Sequence, residues 1–161
     1  MLALGGAAAL VRSGGYEVPA RQRLLTLSPW QFIVLQHAAR RIAAPDRPDD
    51  ATIPSADDLD VAGFADGWLA RMRPGVRRDF KRFLAYVEHL APLRVGYASR
   101  FTRLDAEAQD RVLAATEASS SDLLRAGFDG LKSLVVMGYY RDARTWKILS
   151  YAGPFVPAGV K

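Results

Sequence analysis

Apolar residues recur at helical spacing over most of this chain. Behind Ser28 and Pro29, an N-cap followed by a proline at the first helical position, Trp30, Ile33, Val34, His37, Ala38 and Ile42 form one stripe, which Pro45 and Pro48 close. An aspartate-rich polar stretch, 46–60, reads as an exposed loop that caps the next helix. Val61, Phe64, Ala65, Trp68, Leu69 and Met72 then keep the i, i+3, i+4, i+7 rule without a break, until Pro74 and Gly75 punctuate it. A helix from Val76 to Leu90 sets Val76, Phe80, Phe83, Leu84, Val87 and Leu90 against Arg77, Arg78, Lys81, Arg82 and Glu88, and Pro92 ends it. Asp105 caps a helix through Ala115, and after the polar hinge Ser119 to Asp122 a last helix runs from Leu123 to a stop at Gly138.

No segment sustains a period of two between hairpin turns, so the pattern predicts an all-α protein. The expected architecture is an irregular bundle of about five helices with an extended aromatic C-terminal tail. At 161 residues the chain is the size of one domain and buries roughly 70% of its unfolded surface on folding. Residues 26–161 are therefore read as a single helical domain. Residues 1–25 are read as an export signal and linker: Met1 to Val11 is uncharged, apolar and Ala/Gly-rich like the h-region of a signal, but no Lys or Arg precedes it. A truncated signal and a frayed end both fit that segment, which is too short to span a membrane.

Composition narrows the chemistry. With no cysteine, the chain has no thiolate metal site, iron–sulfur cluster, covalent c-type haem or cysteine nucleophile, and its two histidines, His37 and His89, have no second ligand at i+4. Asp57, Asp58 and Asp60 lack the glycine and distal glutamate of a helix–loop–helix calcium site and are expected to cap the helix that follows. No phosphate loop, dinucleotide fingerprint or nucleophile elbow is present, which moves the weight from catalysis to binding.

The net charge of +5 is interleaved along the chain rather than gathered in a tail. Arg71, Arg73, Arg77, Arg78, Lys81 and Arg82 put six cations within twelve residues, and a stand-alone protein using helix 71–82 to hold an acidic partner or nucleic acid is the alternative reading. Asp66, Asp79 and Glu88 interrupt that cluster, and no helix-turn-helix signature accompanies it, so nucleic acid is not the expected partner. In the tail, Tyr139, Tyr140, Trp146, Tyr151 and Phe155 put five aromatics in seventeen residues with Arg141, Arg144 and Lys147 between them. Such a composition suits interface hot spots and core cladding equally.

The run Gly138-Tyr139-Tyr140-Arg141-Asp142-Ala143-Arg144-Thr145-Trp146, followed by Leu149-Ser150-Tyr151-Ala152-Gly153-Pro154, resembles the GYYTDPRTW…LGYPGP signature closing the gluconate 2-dehydrogenase subunit 3 family. Upstream, Leu27-Ser28-Pro29, Gly63-Phe64, Phe101-Thr102-Arg103-Leu104-Asp105 and Ala108-Gln109-Asp110 fall in the family's order, so the likeness covers about residues 26–156. Ala143 and Ala152 stand where the family favours proline, and the family's twin arginines are missing from this N-terminus. The resemblance implies a non-catalytic small subunit bound to a large flavoprotein of the glucose-methanol-choline type that carries FAD. It further implies a cytochrome c subunit carrying haem c in some such complexes, membrane association through the complex, and twin-arginine export to the periplasm, where the small subunit escorts its partner. On this reading the partner interface draws on Tyr139, Tyr140, Arg144, Trp146, Tyr151 and Pro154, with Trp146 and Tyr140 as anchors and Arg144 paired to a carboxylate of its own chain or of the partner.

Overall fold

The computed structural model describes residues 15–20, 22–43 and 52–153. The apolar run 1–11 and Pro154 lie outside them. Within the described residues the fold is all α. Its helices are α1 (Pro29–Ile42), α2 (Val61–Arg71), α3 (Pro74–His89), a short α4 (Ala91–Arg94), α5 (Ala106–Glu117) and α6 (Asp122–Tyr140), with 3-10 segments at Phe101–Arg103 and Ala143–Leu149. The five predicted helices are all present, and α4 is the addition.

Helix α1 is the centre of the bundle and packs against α2, α3, α5 and α6. Its buried face is accordingly wider than the predicted stripe: Phe32, Val34, Leu35 and Ala38 are the most enclosed, whereas Trp30 is only partly covered at the edge. At its start the Ser28 N–H donates to Gln31 Oε1 at 3.0 Å, holding the first turn. Helices α2, α5 and α6 close one side of α1, with α6 packed on both α2 and α5, and α3 covers another.

Four boundaries differ from the sequence reading. Helix α3 starts at Pro74, not Val76, because a proline at the first helical position gives up only an N–H that has no intrahelical partner. Pro92 likewise lies in the opening turn of α4 rather than only ending α3. Gly138 does not stop α6, which continues to Tyr140. A Cβ on Gly138 would stand 2.9 Å from Phe64 Cδ1 and 3.1 Å from Val61 Cγ1, so this glycine serves the close approach of α2 and α6. The tail is wound, not extended, over Ala143–Leu149, and Ser150 ends the turn at φ 52°.

The aspartates before α2 divide their work, and only one caps the helix. Asp60, itself left-handed at φ 46°, accepts from the Gly63 N–H at 3.1 Å. Asp58 accepts from the N–H and hydroxyl of Ser55 at 2.9 and 2.7 Å, and Asp57 pairs with Arg40 at 2.7 Å.

Candidate partner-binding surfaces

The C-terminal aromatics separate into an inner and an outer set. Tyr139 is 2% exposed, and its hydroxyl donates to Pro54 O at 2.8 Å, tying the end of α6 to the loop before α2. It is a core residue. Tyr140 is half-buried and meets Tyr139 edge-on at 5.2 Å. The Trp146 indole donates to Tyr140 O at 2.8 Å, and its ring packs edge-on to Tyr151 at 5.4 Å. Gly153, at φ +109°, lies against the same ring, where a Cβ would come within 2.9 Å of Cζ3. Trp146 is thus the pin of the wound tail, and Tyr151, 49% exposed, is the outermost of its described aromatics. Leu149, Val136 and Met137 are exposed nearby in sequence.

Arg144 pairs with a carboxylate of its own chain. Its guanidinium forks onto Asp142, with Nε and one terminal nitrogen each at 2.9 Å, while Asp142 also accepts the Arg144 N–H at 3.0 Å. These bonds hold the Asp142 carboxyl down at about 2. Thr145, fully buried, donates to Asp142 O at 2.8 Å and completes the first turn of the tail.

Two buried carboxylates escaped the sequence reading. Glu88 is 0% exposed: it accepts the Tyr16 hydroxyl at 2.6 Å and the Thr102 hydroxyl and N–H at 2.8 and 3.1 Å, with Arg100 Nε 3.6 Å away. Arg100 in turn lies 4.3 Å from the Tyr16 ring centre. Burial, then the hydrogen bond and charge of Glu88, push the Tyr16 phenol up to about 12. Asp66 accepts the consecutive N–H groups of Leu25, Thr26 and Leu27 at 2.6, 3.1 and 2.8 Å. Both acids clamp the segment before α1 onto the bundle. Their signal was a carboxylate inside an apolar face, since Glu88 lies at i+4 from Leu84 and Asp66 at i+4 from Ala62.

His37 stands 3.0 Å from the Gln109 amide, which also donates to Phe101 O and Leu104 O at 3.1 and 3.2 Å. Burial first, and then the Arg40 charge, lower its pKa below 6.5. Among the described residues no group of three or more His, Cys, Asp or Glu is placed to hold a metal ion. None of their helices is long and apolar enough to cross a membrane.

Much of the basic cluster is engaged internally. Lys81 Nζ donates to Thr26 O, Arg77 donates to Ala70 O at 3.1 Å, Arg71 lies over the Trp68 ring at 5.4 Å, and Arg78 and Arg82 flank Asp79 at 4.0 and 3.5 Å. Lys81 and Arg77 thereby brace α3 against the segment before α1 and against α2, while the other contacts stay within α2 or α3; together they account for several of the cations without a nucleic acid. On the other flank of α3, a groove of about 580 Å³ opens toward α6. Val76, Phe80, Phe83 and Tyr86 form one wall and Leu123 and Leu124 the other. Sequence reasoning placed Val76, Phe80 and Phe83 on the apolar face of α3 and did not foresee that this face leaves a gap toward α6.

The family model described as gluconate 2-dehydrogenase subunit 3 matches residues 30–152. Comparison with curated proteins and with solved structures finds no match.

Proposed function

The chain belongs to the gluconate 2-dehydrogenase subunit 3 family, accessory components of dehydrogenase complexes, and from that premise we propose that it is the non-catalytic small subunit of a periplasmic, FAD-dependent dehydrogenase. Its partner is a large flavoprotein of the glucose-methanol-choline type, which holds the FAD. A cytochrome c subunit carrying haem c takes the electrons onward where the complex has one, and the assembly reaches the membrane through its other subunits. The pair is exported folded by the twin-arginine route, and the small subunit stabilises the cofactor-bound partner by mass action.

The family match across 30–152 carries the reading. The sequence supports the division of labour, having no cysteine and no glycine-rich phosphate loop behind a strand. The structure supports it through the use of its ionisable groups: Glu88, Asp66, Asp60 and Asp142 serve as clamps and caps within the chain. Exposed Tyr151 and Leu149 on the wound tail offer apolar contact area.

Co-expression with the catalytic subunit tests the proposal. The two chains are expected to co-purify in a fixed ratio with a flavin spectrum. Elution of this chain alone, with the flavoprotein loading FAD equally well in its absence, would contradict it.

A further inference from the structure

We infer that the cleft between the first turn of α1 and the cationic face of α3 is the docking site for an acidic segment of the catalytic subunit. The inference rests on the accessory-subunit reading and adds where, and by what chemistry, the partner is held.

The cleft, about 370 Å³, has Trp30 and Gln31 of α1 on one side and Arg77, Arg78, Lys81 and Arg82 of α3 on the other. Along α3 it runs from Pro74 to Ala85, eleven helical steps or about 16 Å. The four cations form two i, i+4 pairs, Arg77 with Lys81 and Arg78 with Arg82, and among the described residues no carboxylate lines the cleft. Like charges one turn apart repel, so this face opposes its own helix until an anion lies across it.

The contacts these side chains make leave the charge in place. Arg77 and Lys81 donate to Ala70 O and Thr26 O, neutral carbonyls that accept a hydrogen bond without cancelling a charge. Each keeps further donors, because a guanidinium carries several N–H groups and an ammonium more than one. Arg78 and Arg82 share the carboxylate of Asp79 at 4.0 and 3.5 Å, and their side chains are 67% and 73% exposed.

The form of the ligand follows from how the cations are spread. A single small anion meets one pair of them, whereas a row of this length matches several carboxylates on one chain. The spacing within each pair, about 6 Å along the helix axis, suits carboxylates on alternate residues of an extended segment or one turn apart on a helix. Single-stranded nucleic acid is the weaker match, because its bases stack on open aromatic faces. Trp30 is the one aromatic among the described lining residues, and its ring already meets those of Tyr16 and His89, with centres 6.5 and 5.8 Å apart. The indole serves instead as an apolar wall, which strengthens ion pairs formed beside it.

The test uses the co-expressed complex. Arg78→Glu combined with Arg82→Glu reverses two exposed cations of the cleft, Arg78→Lys keeps the charge, and Arg103→Glu reverses an exposed cation outside the cleft; far-ultraviolet circular dichroism of each variant alone checks that the bundle is intact. The double reversal is expected to weaken association about tenfold or more at low salt, the difference from wild type narrowing as salt rises, while the other two variants bind within about twofold of wild type. A carbodiimide, which joins an amine directly to a carboxylate, is expected to link the amine introduced by Arg78→Lys to an Asp or Glu of the flavoprotein. If the wild-type complex forms and the folded double variant loses no more affinity than Arg103→Glu, the cleft assignment fails while the accessory-subunit reading stands. If wild type forms no complex, that reading fails and the assignment with it. A cross-link to a second copy of this chain, or binding of a single-stranded DNA oligonucleotide that the double reversal abolishes, overturns the assignment.

Discussion

Removing the Glu88 carboxylate takes a negative charge from 3.6 Å beside the buried Arg100 guanidinium, 4% exposed, and deprives Tyr16 and Thr102 of their acceptor. Glu88→Ala is therefore expected to destabilise the bundle by roughly 3–5 kcal/mol, measured by denaturant unfolding, well beyond an ordinary surface change. His37 gives a pH signature. Its folded pKa lies below 6.5, so the unfolded chain takes up the proton first as pH falls, and stability drops as pH passes down through 6.5 toward the folded value. His37→Gln is expected to flatten the dependence of unfolding midpoint on pH as pH falls below 6.5. An unchanged slope would show that the histidine contributes none of it. Trp146 carries the tail: Trp146→Ala removes the bond to Tyr140 O and the ring contact with Tyr151. It is expected to weaken association with the catalytic subunit by about 2 kcal/mol or more, read from the dissociation constant.

At the scale of elements, α6 makes opposite predictions for one substitution at two glycines a turn apart. Gly130→Ala meets open space and is expected to stabilise the protein by up to about 1 kcal/mol through helix propensity. Gly127→Ala drives a Cβ to 2.3 Å from the buried Phe83 ring, and the strain of displacing that ring, roughly 1–3 kcal/mol, offsets the gain. Thermal unfolding of the two variants should move in opposite directions. The helices themselves were legible because their apolar positions repeat every three to four residues, and Ser28, Asp60 and Asp105 mark three of their starts. Their ends were less so. A glycine reads the same in sequence whether it stops a helix or admits a neighbour, and Gly138 does the second because Phe64 and Val61 of α2 press against it.

For the molecule as a whole, sequence showed the aromatic tail and its motif but not which aromatics face outward. Tyr139 points to Pro54, and Arg144 turns to Asp142, because partners 85 and 2 residues away decide the matter and only the folded chain brings the first within reach. The clamps of Glu88 and Asp66 were hidden for the same reason, the donors being 14 and 72 positions from Glu88 and 39 to 41 from Asp66. What emerges is a helical body whose buried charges are spent on holding itself together, with a wound aromatic tail and a cationic cleft left for contact. The most direct measurement of that account is sugar-dependent reduction of an artificial electron acceptor by this chain alone, by the flavoprotein alone and by the two together, followed over time at working temperature. The account predicts no turnover from this chain and a longer active lifetime for the flavoprotein in its presence; turnover by the isolated chain, or a flavoprotein lifetime indifferent to it, would contradict the account.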